Sequence, residues 1–311
     1  MKIQTTVNQK SAFYRTKWFK ISLAGVVLSV IAIYIGICNY AARVFTTSAT
    51  RDLGPNTPAT FGMPYEEITF KTSDTAQLTI RGWWIPRQNS QKTLIMVHSK
   101  DGTRTFLLPV SQRLWQEGFN ILLFDTRGQG LSDGERYAFG WKEKYDVVGA
   151  VAFLKSKGIS PNQIGVVGWS MGAATALMAM AETPDIKAGL IESSYGSLDR
   201  VINEKYYPDT GMPLLLYPGI KLMAKLMYDL DVDQAKPEVA ITKLGERKVF
   251  LIHAEKDQEI PVSEFQIVLK AGSANVAENW LVPGSKHVRS FQEYPDEYVR
   301  RVVAFFNREL S

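Results

Sequence analysis

Short apolar runs alternate along the chain with stretches in which apolar residues recur every three or four positions. The runs, each bounded by turn residues, predict strands buried on both faces, at Thr93–His98, Asn120–Asp125, Ile164–Trp169, Ala188–Glu192, Lys248–Ala254 and Trp280–Val282. The amphipathic stretches predict helices between most of them, at Thr103–Glu117, Lys142–Ser156, Met171–Ala181, Val262–Ala271 and Asp296–Glu309. This alternation predicts an α/β fold, with a mostly parallel sheet covered by helices on both faces.

Ahead of this alternation, the pattern predicts a pair of strands. Glu67–Phe70 and Leu78–Ile85 are β-type stretches separated by turn-forming residues at positions 72–74. We therefore expect the folded domain to cover residues 65–311. A polar, Pro-containing linker without periodicity is expected before it, over residues 43–64.

One insertion interrupts the alternation of strands and helices. Residues 197–247 lie between two predicted strands and contain the apolar segment Pro213–Tyr228. The insertion would either cap a pocket at the carboxyl edge of the sheet or pack as an extra helix on the core. In a cap, Leu222 and Met223 are expected to face the bound substrate.

An uncharged run of 22 residues, Ile21–Ala42, lies near the N-terminus. At about 1.5 Å per residue, a helix of this length crosses a hydrocarbon core of roughly 30 Å. Basic residues crowd the segment before it, residues 1–20, so we expect a cytoplasmic N-terminus and an extracytoplasmic domain. The sequence thus predicts a single-pass, uncleaved signal anchor in a membrane.

Two alternatives to an anchor stay open. A cleaved signal peptide usually has an apolar core of only about 7–15 residues, and no clean small-x-small cleavage site follows this run. Attachment of a lipid at Cys38 is disfavoured, because Ile37 rather than a small residue precedes it. The second alternative is a buried core helix of the domain.

The formal net charge of +5 belongs to this N-terminal segment. Residues 1–43 hold six basic and no acidic residues, which leaves 30 basic against 31 acidic residues in the rest of the chain. A basic surface for nucleic acid therefore loses its main support, and we expect no nucleic-acid partner.

The cysteine and histidine content argues against metal centres. The single cysteine excludes an intramolecular disulfide framework. The three histidines lack His-x-His or His-x-x-x-His spacing, so a histidine metal site is not expected. No Gly-x-Gly-x-x-Gly follows a predicted strand and no Walker-type lysine occurs, so we expect no cofactor.

The strongest chemical signal is Gly168-Trp169-Ser170-Met171-Gly172, which follows a predicted strand and opens a predicted helix. This is the context that a Gly-x-Ser-x-Gly nucleophile turn requires. The sharp turn forces the serine into a strained conformation that tolerates only small neighbours. The hydroxyl is then exposed at the sheet edge, beside amide N–H groups at the helix N-terminus. Ser170 is therefore the candidate nucleophile.

A serine hydroxyl is a poor nucleophile without a base, so a histidine is required. In the order serine, acid, histidine, only His287 follows a candidate acid. His98 and His253 end predicted strands and are expected to fix local hydrogen bonds instead.

The acid is expected in the loop after the penultimate strand. That loop reads AEKDQEIP and offers Glu255, Asp257 and Glu259. Asp257 is the preferred candidate for holding the imidazole in the correct tautomer and stabilising the imidazolium. The two glutamates are expected to belong to an exposed, solvated loop.

Over roughly Glu66–Arg308 the chain resembles the α/β-hydrolase superfamily, and within it the small serine hydrolases described as Bem46-like, BAAT-like or S33/S9-peptidase-like. The resemblance lies in the order and spacing of four motifs: VHSKDGTR (97–104), FDTRGQGLSDG (124–134), GWSMG (168–172), and IHAEKDQEIP (252–261) paired with GSKH (284–287). By this resemblance Ser170 is the nucleophile, Asp257 the acid and His287 the base.

The resemblance also implies an oxyanion hole. In the family one N–H comes from the residue after the nucleophile, here Met171, and the other from the loop after the third strand, here near Ser99 and Lys100. The family usually has glycine where Ser99 stands, because backbone must approach the substrate closely there. Ser99 is therefore expected to tilt or narrow the hole. The family-typical Asp125 and Arg127 are expected to fix a loop rather than to catalyse.

Together these expectations describe a membrane-anchored serine hydrolase that works by acyl transfer through Ser170. The Leu- and Met-rich insertion favours a small-molecule or lipid-like acyl substrate, and hence a carboxylesterase or lipase-like activity. Thioesterase and serine aminopeptidase activities stay open. A non-catalytic binding protein is an alternative motivated by Ser99. A haloperoxidase or dehalogenase activity is the weaker alternative, because a dehalogenase normally has aspartate at the position of Ser170.

Overall fold

The computed structural model describes the backbone of residues 4–48 and 51–311, and the side chains of these residues except those of 4–14, 206, 207 and 209. Residues 1–3 of the expected basic N-terminal stretch lie outside the described residues. So do residues 49 and 50 of the expected linker.

One sheet runs through the domain. Its strands are β1 Glu66–Lys71, β2 Thr79–Ile85, β3 Thr93–Val97, β4 Asn120–Phe124, β5 Ile164–Trp169, β6 Ala188–Glu192, β7 Lys248–Ala254 and β8 Val276–Val282. They are ordered β1-β2-β4-β3-β5-β6-β7-β8. β2 pairs antiparallel with β1 and β4, whereas every later pair is parallel. The prediction of a mostly parallel sheet is confirmed.

Helices cover both faces of this sheet. They are α1 Gln4–Thr46, α2 Leu108–Gln116, α3 Lys144–Ser156, α4 Met171–Glu182, α5 Leu198–Thr210, α6 Tyr217–Tyr228, α7 Pro237–Ala240, α8 Val262–Ala271, α9 Ser290–Glu293 and α10 Pro295–Glu309. One apolar core joins α3, α4 and α8 to one face of the sheet, and a second joins α2 and α10 to the other. The central strands β3, β4 and β5 are buried throughout and apolar except for Thr93 and Asn120, because both of their faces are covered.

Two predicted elements differ at their starts. The last strand begins at Val276 rather than at Trp280, because its first residues alternate between half-buried and exposed on an edge strand and form no continuous apolar run. The helix predicted from Thr103 begins as a 3₁₀ turn over Arg104–Leu107, and the α-helix starts only at Leu108. Pro109 at the start of α2 fits this position, where an N–H has no partner in the helix.

α1 continues to Thr46, four residues into the expected linker. In the described part of the chain, one helix is long and apolar enough to cross a membrane, at Arg15–Thr46. Most of this span is exposed, so a core helix of the domain is the wrong interpretation. Only its last turns, at Cys38, Ala41 and Ala42, are buried against the domain.

The insertion of residues 197–247 forms α5, α6 and α7. These helices share a third apolar cluster with the end of α1, which includes Cys38, Leu198 and Ile220. The insertion therefore lies between the end of α1 and the carboxyl edge of the sheet.

Candidate active site

The turn between β5 and α4 holds Ser170 in a strained backbone conformation. Its φ of 55° and ψ of −120° lie outside the regions that non-glycine residues normally occupy. Glycines on either side make the turn possible. A Cβ at Gly172 would collide with the carbonyl oxygen of Val97, and a Cβ at Gly168 would collide with the backbone of Gly172.

The structure brings Ser170, His287 and Asp257 together in one hydrogen-bonded chain. Nε2 of His287 lies 2.8 Å from Oγ of Ser170, and its Nδ1 lies 2.7 Å from Oδ2 of Asp257. The second carboxylate oxygen of Asp257 accepts hydrogen bonds from the backbone N–H groups of Glu259 and Ile260. Both oxygens of the buried carboxylate are therefore satisfied, which fixes its orientation.

The electrostatics of this chain favour a charged acid and a basic imidazole. Burial alone would raise the pKa of Asp257, but the hydrogen bond and charge of His287 outweigh it and lower that pKa. Burial alone would lower the pKa of His287, but the hydrogen bond to Asp257 and its charge raise that pKa. The pair can therefore hold a proton on the imidazole without protonating the carboxylate.

The two neighbouring glutamates have other positions. Glu255 accepts a hydrogen bond from the backbone N–H of Gly284 at 2.7 Å. Glu259 is 74% exposed, with Oε2 3.6 Å from Nε2 of His287 and thus on the opposite side of the ring from Asp257. Of the three acids that the loop offers, Asp257 is the one that orients His287.

The other two histidines fix local structure, as their strand-end positions predict. The buried His98 accepts a hydrogen bond from the N–H of Thr126 at 3.1 Å, and its Nδ1 lies 2.8 Å from the carbonyl oxygen of Ser99. Nε2 of His253 lies 3.1 Å from the carbonyl oxygen of Ile260. Burial lowers the pKa of both imidazoles and keeps them neutral.

The residues expected at the oxyanion hole line the same cavity as Ser170. Met171 begins α4, while Ser99 and Lys100 lie in the turn after β3. The carbonyl oxygen of Ser99 accepts from the N–H of Gly102 at 3.2 Å. The left-handed residue of this turn is Asp101, with φ of 54°. The backbone N–H groups of Met171 and of the Ser99–Lys100 turn thus remain the candidates for binding an oxyanion.

A cavity of about 620 Å³ lies over Ser170 and His287. Its wall is largely apolar. Besides the loops that carry the site residues, it is formed by the helices α5 and α6, the segment around Leu230 and Val232, and the end of α1 with Ala42 and Phe45. Among the described residues, no cluster of three or more His, Cys, Asp or Glu side chains could hold a metal ion.

The insertion lines this cavity, but not through the residues expected. Ile220 and Ala224 of α6 face the cavity, whereas Leu222 is 51% exposed and Met223 lies outside the wall. Positions 220 and 224 share a helix face and position 222 lies on the other side. The expectation for Leu222 and Met223 is therefore wrong, because α6 is apolar on both faces and its sequence does not show which one points inwards.

Sequence analysis also missed a buried acid behind the nucleophile turn. Glu192 ends β6, and its carboxylate accepts from the hydroxyl of Tyr298 at 2.9 Å and from the N–H of Ser290 at 3.3 Å. Its carbonyl oxygen accepts from the N–H of Ser170 at 2.9 Å. Burial raises the pKa of Glu192, and its charge contributes to the raised pKa of His287. The sequence did contain a signal for this acid, because a glutamate ends an otherwise apolar, buried strand.

The loop after β4 is held by buried ion pairs, as expected for Asp125 and Arg127. Asp125 accepts from the backbone N–H of Arg104 at 2.8 Å and from its Nε at 3.1 Å. Arg127 pairs with Asp146 at 2.6 Å and with Asp74 at 2.7 Å. These side chains therefore fix the loop and do not reach the cavity.

Comparison with known proteins identifies the family and the fold of this chain. The uncharacterized protein YqkD of Bacillus subtilis (strain 168) is 25% identical over 245 residues, which are 78% of this chain and 80% of that protein. An uncharacterized membrane protein of Saccharomyces cerevisiae is 27% identical over 150 residues, 47% of this chain and 51% of that protein. The esterase Pf2001 of Pyrococcus furiosus has a similar structure, with a TM-score of 0.70 and 28% identity over 86% of this chain and 99% of that chain. The family described as X-Pro dipeptidyl-peptidase (S15 family) matches residues 56–266. The chain therefore belongs to this S15 family and has the α/β-hydrolase fold.

Proposed function

We propose that this protein is a serine hydrolase that cleaves a carboxylic ester through an acyl-enzyme on Ser170. The observation that carries the proposal is the pair of hydrogen bonds that joins Ser170, His287 and Asp257 below an apolar cavity. This arrangement provides a nucleophile, a base and an orienting acid in the order in which acyl transfer uses them.

In the proposed reaction, Oγ of Ser170 attacks the carbonyl carbon of the substrate while Nε2 of His287 takes the hydroxyl proton. The charge of Asp257 stabilises the imidazolium that forms. Backbone N–H groups at Met171 and in the Ser99–Lys100 turn donate to the oxyanion, and each such donor is worth about 3–4 kcal/mol. His287 then returns the proton to the leaving alcohol. In the second half, water attacks the acyl-enzyme with His287 as base and frees Ser170.

The character of the cavity favours an apolar acyl group over a polar one. Phe139, Ile202, Ile220, Leu230 and Val232 all contribute to its wall. Burial of each substrate methylene stabilises the complex by about 0.8 kcal/mol. The likeness to the Pyrococcus furiosus protein, which is described as an esterase, supports the same bond type.

A second candidate is cleavage of a peptide bond. The S15 family is described as X-Pro dipeptidyl-peptidase, and the exposed carboxylate of Glu259 lies at the cavity beside His287. A carboxylate there offers a counter-charge to the N-terminal ammonium of a peptide. Ester and amide cleavage would use the same Ser170 chemistry, so only the substrate profile separates them.

We also propose that α1 is an uncleaved, single-pass anchor with its N-terminus in the cytoplasm. The contacts of its last turns support retention of the helix, because Cys38, Ala41 and Ala42 are buried against the domain. The basic residues before the span support the orientation. Alkaline phosphatase fused after Ser311 should be active in this orientation. An inactive phosphatase fusion would overturn this orientation, as would fluorescence from a reporter that folds only in the cytoplasm and is fused at the same position.

The test of the proposed reaction uses the full-length protein in detergent micelles. A fluorophosphonate should label the protein but not Ser170→Ala, and should label Ser156→Ala, an exposed and remote serine, like the unchanged protein. p-Nitrophenyl esters should be turned over faster than an X-Pro p-nitroanilide. Faster anilide cleavage would favour the peptidase, and absence of labelling would favour a non-catalytic binding protein.

A further inference from the structure

α6 is apolar on two opposite faces. Ile220 and Ala224 line the cavity. Leu222 and Leu226, which are four residues apart and share the other face, are 51% and 65% exposed. Lys221 and Lys225 lie between these two faces and pair with aspartates. An apolar helix face is normally buried, so the second apolar face of α6 requires a partner.

The exposed face extends beyond these two leucines. Leu214 and Leu215 are 61% and 66% exposed and precede α6 along the chain. We call Leu214, Leu215, Leu222 and Leu226 the leucine face. Lys225, the charged side chain at its border, pairs with Asp231 at 2.8 Å, so part of its charge is already compensated. Contiguous apolar surface of this kind marks an interaction site.

The leucine face lies directly beside the membrane span. The hydroxyl of Tyr34 donates to the carbonyl oxygen of Leu215 at 2.9 Å, and the hydroxyl of Tyr228 donates to Oδ1 of Asn39 at 2.8 Å. Gly219 lies against α1 so closely that a Cβ there would collide with Tyr34 and Cys38. α6 is therefore packed along α1 through both ends of the helix and its middle.

The contacts on α1 fall within its uncharged run, and this sets the depth of α6. Tyr34 is 13 positions beyond Ile21, or about 20 Å along a helix that rises 1.5 Å per residue. A hydrocarbon core of roughly 30 Å that starts near Ile21 therefore extends past Tyr34. A helix packed at this depth meets lipid rather than bulk water on its outer side.

We propose that the leucine face is embedded in the bilayer that α1 crosses, in the leaflet nearest the domain, so that the cavity opens at the lipid surface. The cavity wall includes Ala42, Phe45 and Thr46 of α1, which places one side of the cavity against the end of this helix. An acyl ester dissolved in the bilayer then reaches Ser170 by lateral movement, without crossing water. The embedding rests on the packing of α6 against α1 and on the proposed membrane span of α1, whereas the substrate class, a membrane-resident lipid ester, rests on the proposed ester hydrolase function.

The embedding is tested on the full-length protein in phosphatidylcholine vesicles. Single cysteines at Leu222→Cys or Leu226→Cys, in a Cys38→Ala background, are labelled with an environment-sensitive fluorophore. The control is Ser156→Cys. Ser156 is exposed at the end of α3, and the chain then leads to the start of β5, at the edge of the sheet opposite Ser170. Doxyl-labelled lipid should quench the probes at 222 and 226 and leave the probe at 156 unquenched.

Two results would overturn the embedding. Equal, weak quenching at all three positions would place α6 in water. Absent quenching together with energy transfer between differently labelled copies would mean that a second copy of the chain covers the leucine face.

The substrate class is tested separately. The double change Leu222→Ser with Leu226→Ser should slow hydrolysis of a fluorogenic diacylglycerol dissolved in the vesicles by about tenfold or more, since both leucines lose their lipid contacts. Turnover of water-soluble p-nitrophenyl acetate should stay unchanged. Val239→Ser, an exposed apolar position outside the leucine face, should alter neither rate.

The outcomes separate the two proposals. Equal loss with both esters would overturn delivery from the bilayer. If the unchanged protein hydrolyses neither ester, the proposed function fails, and the quenching result still decides whether α6 is embedded.

Discussion

Nε2 of His287 lies 2.8 Å from Oγ of Ser170, although 117 positions separate the two residues in the chain. Ser170 follows β5, and His287 follows β8, three strands away in the sheet. The carboxyl ends of parallel strands meet at one edge, so the loops that follow them converge there. The base is therefore in hydrogen-bond contact with the nucleophile before any substrate binds.

This contact predicts that the three residues act as one unit. Ser170→Ala and His287→Ala should each lower kcat for p-nitrophenyl butyrate by about a millionfold, and Asp257→Asn by about ten-thousandfold. The kcat of the double variant of Ser170 and His287 should be no lower than that of either single variant, because each change removes the same proton transfer. Steady-state kinetics on matched amounts of folded protein measure this.

The buried histidines provide the control for that series. His98→Ala and His253→Ala remove buried hydrogen bonds and should lower the melting temperature, while the folded fraction keeps its activity. Loss of turnover in folded His253→Ala, with His287→Ala still active, would contradict the assignment of the base.

The raised pKa of His287 predicts the pH dependence of the reaction. The base must be neutral, so kcat/KM should fall as the pH decreases through a pKa above the ordinary value of about 6.5 for imidazole. The exposed carboxylate of Glu259 contributes to this rise. Glu259→Gln should therefore move the acid limb to lower pH, and added salt should do the same by screening.

Glu255→Gln is the matched control for this profile, because Glu255 binds the N–H of Gly284 rather than the imidazole. Its acid limb should coincide with that of the unchanged enzyme. An acid limb that stays in place in Glu259→Gln, or moves to higher pH, would show that another group controls the profile.

The strained backbone of Ser170 predicts a difference in stability between two inactive variants, Ser170→Gly and Ser170→Ala. A non-glycine residue at φ of 55° and ψ of −120° costs of the order of 1–3 kcal/mol. Glycine relieves this strain but loses roughly 0.4–1 kcal/mol through its freer unfolded state. Ser170→Gly should therefore be about 1 kcal/mol more stable than Ser170→Ala, which keeps the strain. Thermal unfolding of the two inactive variants measures the difference, and equal stability would mean that the turn is unstrained.

The local pattern of the sequence was sufficient to predict the sheet and the meeting of Ser170, Asp257 and His287. A largely apolar, buried run fits a central strand, and Ser170 and Asp257 each follow one, β5 and β7. His287 follows the edge strand β8, whose buried and exposed residues alternate. The residues that follow parallel strands of one sheet lie at the same edge of that sheet. The positions of these residues after strands and their order along the chain, together with the family resemblance, therefore carried the information.

The composition of the cavity wall was not predictable in the same way. Phe45 lines the cavity from the end of α1, but a long, uniformly apolar helix gives no signal for where its end contacts the domain. Ile220 and Leu222 are both apolar, and only the packing of α6 decides that the first faces inwards. For Glu192, the sequence showed only that it ends a strand. Its hydrogen bond with Tyr298, 106 positions later in the chain, could not be predicted.

The buried pair of Asp125 and Arg104 predicts a structural rather than a catalytic defect. Asp125 is fully buried and accepts two hydrogen bonds from Arg104, which is 1% exposed. Asp125→Ala leaves a buried guanidinium without this partner and should cost about 3–5 kcal/mol. Lys155→Ala, which removes an exposed ion pair with Asp185, should cost less than about 1 kcal/mol. A melting temperature that is equal for the two variants would contradict the role of Asp125.

The wall of the cavity predicts how reactivity depends on acyl chain length. Each substrate methylene that enters the cavity should raise kcat/KM by up to about fourfold, from about 0.8 kcal/mol of burial. Ala224→Phe places a ring in this space, because Ala224 is 4% exposed and lines the cavity. In Ala224→Phe, the rise of kcat/KM with chain length should end at a shorter acyl chain than in the unchanged enzyme, while acetyl esters react as before.

Leu222→Phe is the matched control for this series, because it adds an aromatic ring to the same helix on the exposed side. With water-soluble p-nitrophenyl esters, its profile should follow that of the unchanged enzyme. Overpacking at position 224 could also cost about 1–3 kcal/mol of stability, so melting temperatures are measured alongside the kinetics. A lower melting temperature with an unchanged profile in Ala224→Phe would mean that the acyl chain binds elsewhere. A shortened profile in Ala224→Phe alone would identify this cavity as the acyl site.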